Sequence, residues 1–370
     1  MSVTFILESA FNSGGMERML ATIANALSDS YHITVLTAFN EGEEDFFPFK
    51  ENVRRVDLGI ERGKYPKTND QKREYKKRLD DWLMGNHQDV TVSLGSLEFF
   101  FLPDIKDGSK KVFWFHFAFN YDLMTSRYTR FQWLNSCIGH LKRRRRIRIA
   151  KKFDKVIVLS KNDLKSWRKY LNNVTYIYNP ITINPKLVVD YRVKRAIAVG
   201  RIEYQKGFDY LVKVWTKVHD NYPNWQLDIY GGGAKNDIDG LQKQIDASNL
   251  HGIVNIKGRT DDIAKAFSVH SIMILSSRYE GFGLVLVEAA ACGLPLVSFD
   301  CEQGPSEIIE EGKNGYLVSP IGNINGMANA IYKLIQDENL RKSMGAKAKQ
   351  MSEQFSLGKV YKEWLNLFKE

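Results

Sequence analysis

The chain is short of cysteine. Its three, Cys137, Cys292 and Cys301, are an odd number without metal-type spacing. A reducing compartment without a disulfide framework is the simplest account, and no metal site is expected from these cysteines. A long apolar run is also missing, because the longest candidate contains Glu288, Gly293 and Pro295 and makes a poor membrane span. The N-terminus has no basic leader, and Glu8 interrupts its apolar run, so no signal peptide is expected. There are no repeats or low-complexity tracts. The first strand, read at Val3 to Leu7, is not followed by G-x-G-x-x-G, and the next, His32 to Leu36, ends without an acid for a ribose. Helix-turn-helix, zinc and RNA-binding aromatic motifs are absent, so nucleic acid is not an expected partner.

What is present describes a globular enzyme-sized chain. At 370 residues it exceeds the roughly 250–300 at which one core stops growing, so two domains are expected. Apolar residues make up 44% and charged residues 26%, an ordinary balance for a folded protein. The net charge of +10 is unevenly shared. Residues 1–185 carry 30 Lys and Arg against 21 Asp and Glu, while residues 186–370 are nearly balanced. The first half therefore meets something acidic.

The stretch Ser276 to Asp300, SSRYEGFGLVLVEAAACGLPLVSFD, organises the rest. Ile272 to Leu275 reads as a buried strand, Glu280 stands at its mouth, and a helix runs from Leu284 to Cys292 before the strand Leu296 to Phe299. Ligands sit at the carboxyl ends of such parallel strands. The start of that helix leaves N–H groups unpaired and suits phosphate, and Gly281 and Gly283 let a ligand approach the backbone around Phe282 and Leu284. Glu288 lies deeper in the helix, where it suits neutral hydroxyls. The alternative is a surface glutamate, one helical glutamate and two loop glycines. Upstream, AIAVG (196–200) opens the second α/β domain, and Arg201 and Lys206 flank the next helix entry. Gly231 to Gly233 form a loop of close approach, and Lys257 to Thr260, including Arg259, offer an edge for a base. Asp237-Ile238-Asp239 has metal-binding spacing but reads as helix caps.

Glu280 and Glu288, in EGFGLVLVE, resemble the E-x7-E signature of family-four retaining glycosyltransferases with the GT-B fold. The flanking GR-x4-KG at Gly200 to Gly207 is similar to that family too. The resemblance spans nearly the whole chain, strongly from Gly200 to Val318 and weakly from Val53 to Gly108. It implies two Rossmann-like doubly wound α/β domains facing across a cleft. The first would cover 1–185 with the returning helix 357–370, and the second 186–356. It implies that Glu280 contacts the donor sugar, Glu288 the ribose, and that Arg201 and Lys206 neutralise the donor diphosphate without metal or other cofactor. Gly14-Gly15, in a GGxER-like turn, would lie near the sugar and acceptor. His116, at the end of the strand Lys111 to Phe115, would enter the donor-sugar pocket, with Asn120 just beyond it. The run FDCEQGPSEII looks like the subgroup that builds bacterial surface polysaccharide from UDP-hexoses or UDP-N-acetylhexosamines on a lipid carrier. A nucleotide-sugar epimerase and a non-catalytic binding protein of the same fold are the alternatives.

The charge excess of the first half concentrates in LKRRRRIRIAKK, Leu141 to Lys152, where eight of twelve residues are basic. Arg143, Arg144, Arg145 and Arg146 lie here among Leu141, Ile147, Ile149 and Ala150. A basic helix with an apolar side fits an anionic membrane surface. The expected location is therefore cytoplasmic, peripheral on the inner face of the plasma membrane. The same arginines can alternatively grip the diphosphate of a polyprenyl-linked saccharide acceptor.

Overall fold

The computed structural model describes residues 1–40, 42–61, 69–125, 132–184 and 187–369. The chain divides into two units, Met1–Asn179 joined by Gly358–Glu370, and Pro180–Leu357. Each is built on a parallel sheet whose inner strands are buried on both faces, the pattern that helical cover on both sides demands.

The first unit runs β1 (Ser2–Leu7), α1 (Gly15–Leu27), β2 (His32–Thr37), β3 (Arg54–Asp57), α2 (Asn69–Gly85) and β4 (Val90–Ser93). It continues through β5 (Lys110–Trp114), α3 (Tyr121–Thr125), α4 (Gln132–Ala150), β6 (Lys155–Val158), α5 (Lys161–Arg168) and β7 (Val174–Tyr176). The strand order is β3-β2-β1-β4-β5-β6-β7, and every pairing is parallel. The order in which successive strands are added reverses between β1 and β4, which opens a crevice at their carboxyl ends. Val3, Phe5, Ile6 and Leu7 are fully buried, as the middle strand of such a sheet must be.

The second unit runs β8 (Arg195–Val199), α6 (Phe208–Asn221), β9 (Gln226–Tyr230), α7 (Lys235–Ala247), β10 (Val254–Gly258), α8 (Ile263–Ser268) and β11 (Ile272–Leu275). Then follow α9 (Leu284–Cys292), β12 (Leu296–Phe299), α10 (Pro305–Ile308), β13 (Gly315–Val318), α11 (Ile324–Gln336) and α12 (Glu338–Ser352). Its parallel order is β10-β9-β8-β11-β12-β13, with the reversal between β8 and β11. The last helix, α13 (Leu357–Lys369), brings Trp364 into the first unit's core, 5.9 Å from the Phe5 ring and 4.9 Å from Trp114.

α9 is the most enclosed helix near the second reversal, with Leu286 to Cys292 all buried. An apolar helix with no solvent face belongs inside a core. Gly283 starts it at φ 85° and Gly293 ends it at φ 91°, both left-handed positions that glycine adopts without strain. At its end Leu294 N–H reaches the Ala289 carbonyl at 3.0 Å and Gly293 N–H reaches Ala290 at 2.9 Å, a Schellman ending. α12 crosses so closely that a Cβ on Gly345 would run into the Gly293 carbonyl.

Candidate functional site

The reversal in the second sheet brings Lys206 and Glu280 together. β8 ends at Val199, and a short turn, Tyr204–Lys206, leads through Gly207 into α6. β11 ends at Leu275, and Ser276 to Gly283 lead into α9. Lys206 Nζ donates to Glu280 Oε1 at 2.7 Å, and Ser277 Oγ donates to the same oxygen at 2.6 Å. The lysine stem lies over Gly200, where a Cβ would stand 2.9 Å from Cδ and Cε. A cation, a carboxylate and the open N-terminus of α9 thus lie on neighbouring segments. Glu288, only 3% exposed, is held by Thr182 Oγ1 at 2.6 Å. Arg201 projects outward with its side chain 75% exposed and Glu203 at 3.2 Å, leaving it reachable by an anion.

The other expected donor contacts divide by what they can offer. Gly281 and Leu284 are half-buried. The Phe282 ring is buried edge-on against Phe355 at 5.4 Å, so the backbone is what this residue can present. A Cβ on Gly231 would run into the Gly200 carbonyl, so the carboxyl ends of β8 and β9 touch there. Arg259 lies across Gly232, its Nε 2.6 Å from where a Cβ would sit. Asp237 and Asp239 are exposed early in α7, but the cap position is Ala234, which corrects the reading of them as caps. Among the described residues no group of three or more His, Cys, Asp or Glu is placed to hold a metal. Burial pushes the Cys292 thiol up to about 12 and Cys301 well above its ordinary value, so both are poor nucleophiles.

In the first unit, Gly14 caps α1 with the Glu17 carboxylate folded over it, and Gly15 has open space where a Cβ would be. His116 follows β5 with its ring 4.3 Å from Trp114. Its Nε2 is buried without a hydrogen-bond partner, and burial pushes its pKa down to about 3. The imidazole is therefore neutral near pH 7 and can exchange a hydrogen bond but not supply charge. Asn120 Oδ1 accepts from Arg143 Nη1 at 2.6 Å.

The basic run divides between core and surface. Arg144 and Arg145 are exposed, Arg145 lying 4.6 Å over the Phe100 ring, and Leu141 is 63% exposed. Arg146 is not a surface residue, which corrects its placement in an acceptor or membrane contact. It is 8% exposed, pairs with Asp122 at 2.6 Å, donates to the Phe119 carbonyl and lies 4.6 Å over Phe115. Burial lowers its pKa, while Asp122 and Asp163 favour the charged form. Ile147 and Ala150, read as part of an apolar membrane side, belong to the same core. The signal was in the spacing: Gly139, Arg143, Arg146 and Ala150 make an i, i+4, i+7, i+11 stripe, and a Cβ on Gly139 would press on α3. Ser277, Thr182, Arg278 and Asp163 escaped the sequence reading. Asp163 accepts Phe119 N–H at 2.8 Å and so fixes the segment beyond His116.

Two parallel sheets with flanking helices, and an ion-paired site at the second reversal, define a GT-B architecture. Residues 13–184 match the family model Glycosyltransferase Family 4, and residues 182–351 match Glycosyl transferases group 1. The chain belongs to the family-four glycosyltransferases. An uncharacterized glycosyltransferase of Haemophilus influenzae is 27% identical over 373 residues, 98% of each chain. A Campylobacter jejuni enzyme is 24% identical over 379 residues, 100% of this chain and 99% of its own. It is the GalNAc-α-(1→4)-GalNAc-α-(1→3)-diNAcBac-PP-undecaprenol α-1,4-N-acetyl-D-galactosaminyltransferase. Among solved structures, a Staphylococcus aureus TarM variant in complex with fondaparinux, α-GlcNAc-glycerol and UDP superposes with a TM-score of 0.80. It is 19% identical and the match covers 100% of both chains.

Proposed function

We propose that this glycosyltransferase moves a hexose or N-acetylhexosamine from a UDP-sugar to a lipid-linked saccharide, with retention at the sugar's reactive carbon, in building bacterial surface polysaccharide. The observation that carries the reading is the 2.7 Å Lys206–Glu280 pair beside the N-terminus of α9. Lys206, Arg201 and the helix N–H groups suit a diphosphate, and they oppose the charge that develops on it as the sugar leaves. Glu280 suits a sugar hydroxyl, and Glu288, already bonded to a hydroxyl, suits a ribose. Two cations and a helix terminus take the place of a divalent ion in this scheme. The UDP in the TarM complex and the undecaprenol-linked substrate in the Campylobacter enzyme's name support the donor and acceptor classes.

In the same reading the solvent-facing residues of α4 meet the anionic inner face of the membrane. Arg144, Arg145 and Arg148 supply charge there, and Leu141 and Ile138 supply exposed apolar surface. Each basic group near such a surface contributes up to about 1 kcal/mol, enough together for reversible association. No helix among the described residues is long and apolar enough to cross a membrane.

The test is incubation with a panel of UDP-sugars, with a polyprenyl-diphosphate saccharide and without it, in a chelator. Consumption of one UDP-sugar, slow without acceptor and fast with it, is the expected outcome. A strict need for magnesium or manganese overturns the metal-free scheme, and no turnover of any nucleotide-sugar overturns the whole reading.

A further inference from the structure

Resting on the reading of Lys206 as a diphosphate-binding cation, we propose that Arg278 is a positioning residue that sets the Lys206–Glu280 pair. Its side chain is 10% exposed, so it acts through neighbours rather than on a ligand. The guanidinium lies between two rings, 3.7 Å from Tyr204 and 4.1 Å from Tyr210. Its Nη1 and Nη2 donate to the two oxygens of Asp209 at 2.8 and 2.6 Å, and Nη1 also donates to the Tyr204 carbonyl at 2.6 Å. Tyr204 and Asp209 stand on either side of Lys206 in the chain, while Arg278 stands two residues before Glu280.

Backbone contacts continue the clamp. Arg278 N–H donates to the Gln205 carbonyl at 2.7 Å, and Gln205 Nε2 donates to the Tyr279 carbonyl at 3.0 Å. Ser276 Oγ donates to the Lys206 carbonyl at 2.8 Å, and a Cβ on Gly207 would strike the Ser276 carbonyl. The segment after β8 and the segment after β11 are therefore joined on both sides of Lys206. A lysine stem has many rotamers, and a fixed backbone beneath it limits where its charge can go. Lysine cannot replace Arg278 here, because a point charge neither forks onto a carboxylate nor fills the plane between two rings.

Calorimetric titration of UDP into the full chain tests this with wild type, Arg278→Lys, Lys206→Gln and the double variant. Arg278→Lys is expected to weaken UDP binding roughly tenfold, on the scale of residues coupled in one network. The double variant is expected to bind no more weakly than Lys206→Gln alone, since Arg278 acts through Lys206. Asp209→Asn opens the clamp from its other side and should weaken UDP binding as well, which serves if Arg278→Lys does not fold. Unchanged affinity in both clamp variants, or losses that simply add in the double variant, overturns the inference while leaving the donor reading intact. A wild-type chain that binds no UDP overturns both.

Discussion

Glu280 accepts hydrogen bonds from a lysine and a serine in the free protein, so its carboxylate is oriented before a sugar arrives. Glu280→Gln keeps the shape and loses the charge and an acceptor site. Transfer is expected to fall by about two orders of magnitude, the scale of losing one preorganised polar contact. Initial rates on the preferred UDP-sugar check this, and near-native turnover contradicts it. A second carboxylate gives a pH signature. Glu98 is fully buried, and burial pushes its pKa up to about 7 against the hydrogen bonds from Ser93 and Ser96. The folded state therefore holds a proton that the unfolded chain releases above its ordinary carboxyl range. The contribution of Glu98 to stability should therefore fall as pH rises from about 4.5 to about 7, while His116, neutral when folded, contributes the opposite slope below about 6.5. Thermal melts of wild type and Glu98→Gln across that range isolate the Glu98 contribution: wild type should lose stability relative to the variant as pH rises, and a constant difference contradicts it. At this scale the sequence displayed Glu280, Glu288, Arg201 and Lys206, because their spacing is local. Thr182 was not legible, because it lies 106 residues from the Glu288 carboxylate it bonds.

At the scale of elements, α4 and α9 show how far pattern reading reaches. α9 was legible because a short apolar run ends at Gly293-Leu294-Pro295, where a left-handed glycine closes the helix. α4 was legible as a helix, but the direction of its arginines was not, since eight charges mask a buried stripe. The two kinds of arginine separate by experiment. Arg146→Ala removes the buried cation paired with Asp122 and is expected to destabilise the first unit by about 3 kcal/mol. Arg144→Gln with Arg145→Gln is expected to stay within about 0.5 kcal/mol per site, as exposed substitutions do. Denaturant unfolding measures both. Adding Arg148→Gln to the exposed pair should reduce sedimentation with anionic vesicles. Binding indifferent to all three contradicts the membrane role of this face.

For the whole molecule, the alternation of apolar strands with helical periods was sufficient to call for two parallel-sheet units. The boundary was less legible. The polar stretch after Pro180 looks like a linker, yet Ile181 N–H bonds the Phe355 carbonyl at 2.9 Å and Thr182 reaches Glu288, which ties it to the second unit. Both are long-range contacts that composition does not announce. In the proposed function the second unit holds a nucleotide-sugar through Lys206, Arg201 and the start of α9 without a metal ion. The most direct test of this is calorimetric titration of UDP-glucose, UDP-galactose and their N-acetylated counterparts into wild type and Lys206→Gln, both in a chelator. Saturable binding of at least one of these donors to wild type is expected, with a loss of at least tenfold in the variant, about 1.4 kcal/mol. Binding of equal strength in both proteins, or binding of none of the four to wild type, contradicts it.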